Sequence, residues 1–240
     1  MIGNSRLHWG YFLGKTLQHT WDTPHLSKSQ TVVPFPAGLK LNGQPEILLA
    51  SVVPEQTALW QNHPAVKVVT LDQIPLQGLY PTLGVDRALA VWGAGETLSW
   101  PVLVIDAGTA LTFTGANANH RLWGGAILPG LKLQMQALNR GTAALSEVEL
   151  PEQLPPRWAL NTLDAIESGV IYSILASIQA FIEDWWQQFP QSAIALTGGD
   201  SATLLAYLQI LAPAIATQVT ADPHLIFWGL RSHYLALHRD

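Results

Sequence analysis

The chain has 240 residues, no cysteine and a formal charge of −5, with 12 Lys+Arg against 17 Asp+Glu. That balance argues against a nucleic-acid surface, which needs clustered Lys and Arg, and the lack of cysteine excludes a disulfide framework, a thiolate nucleophile and a cysteine zinc site. Apolar residues make up 48% of the sequence, enough for a globular chain with one large core or two small ones.

No apolar run reads as a transmembrane span and the polar-interrupted start does not read as a signal peptide, so a cytoplasmic protein without a membrane partner is expected. Met1–Gly14 reads as a strand, a Gly3-Asn4-Ser5 turn and a second strand through Trp9 and Phe12. Residues 15–46 are polar and punctuated by Pro and Gly, with a short strand expected at Thr31–Val33. Ile47–Val53 reads as a buried strand, Gln56–Asn62 as a helix and Val66–Val69 as a further strand, an alternation that predicts α/β architecture.

Asp86 opens a strongly helical run after the loop Leu79–Val85. As a first-turn acid or N-cap it serves the helix. Near a substrate hydroxyl the same carboxylate is a general base. Val102–Ile105 is a buried-type strand ending in Asp106-Ala107-Gly108-Thr109, followed at once by an apolar, Thr-rich strand. This is a hairpin with an acid, a glycine and a hydroxyl in its turn. It reads either as an ordinary tight turn or as a phosphate cradle, in which glycine admits the ligand close to the backbone and threonine donates.

Trp123–Gly130 reads as a Gly-rich turn into a helix over Leu131–Leu145, and residues 146–158 as loop. Asn161-Thr162 cap a long helix through Trp185. Ala193–Thr197 reads as a strand ending in Gly198-Gly199-Asp200, with Asp200 capping the helix Ala202–Leu211. The tail reads as a strand at Thr217–Val219 and a helix over Ile226–His238, with His224, His233 and His238 solvent-exposed rather than metal-binding. Met1–Gly10 laid under Asp106–Gly115 puts glycine on glycine twice, Gly3/Gly108 and Gly10/Gly115, with Asn4 on Thr109. The two copies are about one domain length apart.

Two such Gly-polar turns resemble the superfamily of actin and the sugar kinases, and six segments narrow the resemblance to type III pantothenate kinases. They are IGNSRLHWG at the start, LGVDRALAVWGA at 83–94, DAGTALT at 106–112, GGAILPGL at 124–131, NTLDAIESGVIY at 161–172 and LTGGD at 196–200. The resemblance implies an α/β fold of two duplicated ribonuclease-H-like lobes, residues 1–95 and 96–240, with ATP in the cleft between them. It implies ATP-dependent phosphorylation of pantothenate to 4′-phosphopantothenate, the opening step of coenzyme A biosynthesis.

Residue by residue, the resemblance makes Asp86 the catalytic base, and assigns the substrate to Tyr80, Gly84, Val85, Asp86, Arg87, Gly125 and Thr162. ATP falls to Ile2, Gly3, Asn4, Ser5, Arg6, Thr109, Gly198 and Gly199. Asp106 takes a monovalent cation, potassium or ammonium, with Mg2+ accompanying ATP. It also implies a homodimer, and some of the ten tryptophans are expected at that contact. One departure stands out: the family pattern has an aspartate where this sequence has Met1, preceded by apolar residues completing the first strand. The alternative is a non-catalytic relative of the same fold that binds pantothenate or nucleotide and acts as a regulator. No Walker-type Gly-x-x-x-x-Gly-Lys-Ser/Thr is present, which excludes a P-loop kinase.

Overall fold

A computed structural model describes residues 1–27, 35–39, 43, 45–60, 63–139 and 150–238. The strand expected at Thr31–Val33, the end of the helix at 61–62 and the stretch of the helix past residue 139 lie outside these. The chain divides into two compact units, Met1–Glu96 with Leu225–Asp240, and Thr97–His224.

The first unit begins with an isolated bridge. Ile2 pairs antiparallel with Leu7 and parallel with Ser51, and its N–H donates to the Ala50 carbonyl at 2.8 Å. After the turn, β1 (Leu7–Leu13) pairs antiparallel with β2 (Thr16–Thr23). β2 sits in the stretch read as polar periphery, because only Leu17, Trp21 and Thr23 along it are even half-buried. β3 (Ile47–Leu49) and β4 (Val66–Val68) form a parallel pair, with α1 (Pro54–Ala58) between them in sequence. Ile2, Leu7, Leu26, Leu49 and Trp60 make the core, with Trp9 against them. An apolar cavity of about 420 Å³ is walled by β1, β3 and Met1 on one side, and by Phe227, Leu230 and Arg231 on the other. Then α2 (Val85–Thr97) presents Ala88, Leu89, Ala90, Val91 and Ala94 fully inward.

The second unit is a five-stranded mixed sheet. Its strands are β5 (Val102–Ala107), β6 (Ala110–Ala116), β7 (Leu122–Pro129), β8 (Ala193–Thr197) and β9 (Val219–Ala221), in the order β7-β6-β5-β8-β9. β5, β8 and β9 run parallel, while the β5–β6–β7 meander is antiparallel. The expected hairpin is therefore present, with Ala107 opposite Leu111 across its turn. The Gly-rich segment Trp123–Gly130 is not a turn but most of edge strand β7, where Gly124 takes φ +148 beside a register shift on β6. The turn into α3 (Leu131–Asn139) is Gly130 alone.

Helix α4 (Thr162–Gln188) is long and apolar enough to span a membrane by length and composition, although no run along it had read as a span. Its inward row Ile171, Ile174, Leu175, Ile178, Ile182 and Trp185 follows the helical period and packs into the core beside Ile105, Phe113 and Leu196. α5 (Ser201–Leu211) and the short α6 (Pro213–Ala216) complete the unit. The last helix, α7 (Leu225–Leu237), groups with the first unit. Its Gly229 and the Leu225 carbonyl pack on Gly93 of α2, where any side chain would meet backbone.

The second glycine of each repeat copy has a packing role. A Cβ on Gly10 would meet the Phe227 ring of α7 at 3.1 Å, and one on Gly115 would meet the Trp185 ring of α4, 2.6 Å from its Cη2. In each unit a strand glycine thus seats an aromatic ring from that unit's own helix.

Candidate functional site

In the first unit the substrate-loop residues come together at the start of α2. Gly84 holds the cap position, its carbonyl accepting from the Ala88 N–H at 3.2 Å, and Val85 is the first helical residue, buried. Asp86 does not cap the helix: its Oδ1 accepts from the Arg87 N–H at 2.7 Å. The carboxyl lies against Gly84, where a Cβ would overlap Oδ1. Burial raises the Asp86 pKa above the usual carboxylate range, and the hydrogen bond and charge of Arg87 only partly offset that. Arg87 is 8% exposed and its Nη1 donates to the Tyr80 hydroxyl at 3.2 Å, which ties the loop's aromatic residue to the helix. The result is a half-buried carboxylate with a raised proton affinity beside a buried cation, properties suited to a general base and an anion contact.

The Gly3–Arg6 turn lies one residue layer away. Gly3 N–H donates to the Arg6 carbonyl at 3.0 Å, and the Ile2 carbonyl accepts from Val52 N–H. The Val52 side chain in turn lies 3.8 Å from the Cβ position of Gly84. Asn4, Ser5 and Arg6 are exposed. Sequence reading missed the partners of this turn: His8, Asp22 and His25. His25 Nε2 lies 2.9 Å from the Gly3 carbonyl, and Asp22 bonds both Arg6 and His8. Finding them required the β1–β2 register, and β2 carries no hydrophobic alternation to announce it.

In the second unit Asp106 is the penultimate residue of β5, and Gly108-Thr109 make the turn. The turn is held from two sides. Gly130 N–H donates to the Thr109 carbonyl at 2.9 Å, and Asp200 N–H donates to the Ala107 carbonyl at 2.9 Å. Gly198 takes φ +91, and a Cβ there would lie 2.5 Å from both the Ala107 carbonyl and Asp106 Oδ1, so only glycine fits. Gly199 follows on the open side. The Asp200 side chain makes no helix cap. It is 7% exposed and instead pairs with Lys132 Nζ at 3.3 Å, a partner the sequence did not suggest. Among the described residues no three His, Asp or Glu side chains converge as a metal-binding group.

Gly125 and Thr162 stand apart from that turn. Gly125 faces outward on β7, opposite Thr114. Thr162 is exposed in the first turn of α4, where Asn161 is the N-cap and accepts from Asp164 N–H at 3.0 Å.

A sequence model described as type III pantothenate kinase matches residues 2–184. The chain belongs to the type III pantothenate kinase family. A type III pantothenate kinase from Nostoc sp. is 48% identical over 96% of this chain and 91% of its own length. A solved structure from Campylobacter jejuni, described as a Baf family transcriptional activator, superposes with a TM-score of 0.66 at 21% identity, covering 98% of this chain and 96% of its own. The activator of the 2-hydroxyisocaproyl-CoA dehydratase from Clostridium difficile, solved with ADPNP, gives a TM-score of 0.50 at 9% identity over 100% of this chain and 96% of its own. At those identities the two structures show the fold alone. The six family segments fall on the Gly3 turn, the start of α2, the turn after Asp106, strand β7, the start of α4 and the loop after β8.

Proposed function

We infer that the chain transfers the γ-phosphoryl group of ATP to the primary hydroxyl of pantothenate, giving ADP and 4′-phosphopantothenate, the opening step of coenzyme A biosynthesis. The observation that carries this reading is the family match across residues 2–184, which includes the half-buried carboxylate of Asp86. In the reaction the pantothenate hydroxyl oxygen bonds to the γ-phosphorus as the bond to ADP breaks, and Asp86 takes the hydroxyl proton. A raised pKa suits that role, because a base nearer the operating pH is a better acceptor. Tyr80, Gly84, Val85, Arg87, Gly125 and Thr162 are the substrate contacts, with Arg87 placed for the pantothenate carboxylate.

Ile2–Arg6 in the first unit and Thr109, Gly198 and Gly199 in the second are the ATP contacts. Gly199 supports that role with open space beside its backbone, and Gly198 lets the loop pack directly on the end of β5. Asp106, with the Ala107 carbonyl beside it, supplies the oxygen donors a potassium or ammonium ion takes. Magnesium arrives with the ATP phosphates, whose charge it neutralises.

With Leu225–Asp240 counted in the first unit rather than in a 96–240 lobe, the two units correspond to the duplicated lobes of an actin-like ATPase, and the paired seating of Gly10 and Gly115 supports that reading. Trp123, Ile127, Trp158 and Leu160 are more than half exposed. Exposed large apolar side chains of that kind support a homodimer. The test is ADP release with pantothenate in potassium and in sodium, for the wild type, Asp86→Asn and Asp106→Asn. Potassium-stimulated turnover, lost in Asp86→Asn and no longer potassium-dependent in Asp106→Asn, is expected. Tight pantothenate binding with no turnover in either salt points instead to the regulatory relative.

A further inference from the structure

The Gly3–Arg6 turn carries a side-chain cluster, Arg6, His8 and Asp22, of which only Arg6 has been given a role. On the hairpin His8 stands directly opposite Asp22 in register. Asp22 Oδ1 lies 2.7 Å from His8 Nδ1, and Asp22 Oδ2 accepts from Arg6 Nη1 at 3.2 Å. One carboxylate therefore holds a guanidinium and an imidazole side by side. Because Asp22 takes the Nδ1 side, the nitrogen that flanks the turn is Nε2, 3.8 Å from the Cβ position of Gly3.

Arg6, His8 and Asp22 are each about half exposed. Ion pairs this wet contribute little to folding, so stability alone does not account for one carboxylate being shared between two basic groups at the mouth of a Gly-polar turn. With Nδ1 held on Asp22, Nε2 is the ring nitrogen left to face an arriving anion.

We propose that Asp22 is a positioning residue that sets Arg6 and His8 as a two-pronged contact to the polyphosphate of the nucleotide, with His8 as a phosphate ligand. This rests on the reading of the Gly3–Arg6 turn as an ATP-phosphate site. It adds to that reading a second side-chain contact and the group that aims it.

The test measures the calorimetric Kd for ATP, and the KM for ATP and for pantothenate, in wild type, His8→Gln, His8→Lys and Asp22→Ala, with melting temperatures alongside. His8→Gln is expected to weaken ATP about tenfold, the scale of one hydrogen bond to a charged group, and to leave the KM for pantothenate in place. His8→Lys restores ATP binding, because it returns a cation. Asp22→Ala weakens ATP several-fold although it removes a negative charge. A purely Coulombic effect has the opposite sign, so the direction separates positioning from charge. Melting temperatures of all three stay close to wild type.

ATP affinity unchanged in His8→Gln, no rescue by lysine, or tighter ATP in Asp22→Ala overturns the proposal while leaving the kinase reading intact. Wild type that binds ATP without phosphorylating pantothenate overturns the kinase reading, and the Kd comparison still decides the role of the cluster. Wild type that binds no ATP overturns both.

Discussion

Replacing Gly84 with alanine tests whether the Asp86 carboxyl is placed by the loop that precedes it. The added methyl would fall inside the contact radius of Asp86 Oδ1, 3.4 Å from Cγ and 3.8 Å from Val52 Cγ1. Only the oxygen is truly overlapped, and it is the movable end of a side chain. To regain an ordinary contact of about 3.5 Å the carboxylate must shift by about 1 Å, and a misplacement of that size at a reacting group costs about 10²-fold in rate. That corresponds to about 2.7 kcal/mol of transition-state stabilisation.

The fold should tolerate the change. Gly84 does not need a positive φ, no backbone atom is struck, and alanine reduces the freedom of the unfolded chain, so stability should change by less than about 1 kcal/mol. The assay pairs steady-state turnover with thermal melting, and uses Gly93→Ala as the contrast. At Gly93 a methyl meets the Leu225 carbonyl and lies 2.7 Å from Gly229 N, so that variant should lose stability outright. Wild-type kcat in a folded Gly84→Ala protein would refute the placement argument.

Asp86→Asn should abolish turnover while raising the melting temperature near neutral pH. The folded pKa of Asp86 is raised by burial, so its contribution to stability is fully present below the ordinary carboxylate range and is lost as pH rises through the raised value. The gap between Asp86→Asn and wild type in melting experiments should therefore widen from acid toward neutral pH, and a constant gap would contradict it. His233, 5% exposed on α7, has its pKa lowered by burial. Stability from that group is present above the ordinary histidine range and lost as pH falls through the lowered value. His233→Leu should flatten the acid side of the stability profile. Gly198→Ala combines a positive φ with a methyl 2.5 Å from the Ala107 carbonyl. It should destabilise the second unit by at least about 2 kcal/mol in denaturant melts, and a wild-type midpoint would show that the loop relaxes freely.

Much of the candidate site was legible because its signals are local. The hairpin at Asp106–Thr109, the helix opened by Asp86 and the glycine after β8 each sit at a change of hydrophobic pattern. What the sequence hid depends on register and on distant partners. Gly124-Gly125 read as a turn because paired glycines break patterns, yet pairing to β6 holds them in a strand. β2 was missed because a half-wet hairpin strand carries Gln18, His19 and Thr20 where a buried one carries apolar residues. Asp200 read as a cap from its position, but its carboxylate turns to Lys132, 68 residues away in sequence on α3. His233 read as exposed because a lone histidine near a chain end carries no periodic signal, whereas α7 packs back onto α2. The Gly10/Gly115 correspondence was visible as letters, and its cause, an aromatic ring seated on each, needed the helices in place.

The most direct test of the central claim is the mass of the product formed when the purified protein is incubated with ATP and pantothenate in potassium. The account predicts ADP together with pantothenate heavier by one phosphoryl group on its primary hydroxyl, formed by wild type and absent with Asp86→Asn. ATP hydrolysis without a phosphorylated pantothenate, or the same product yield from Asp86→Asn, would contradict it.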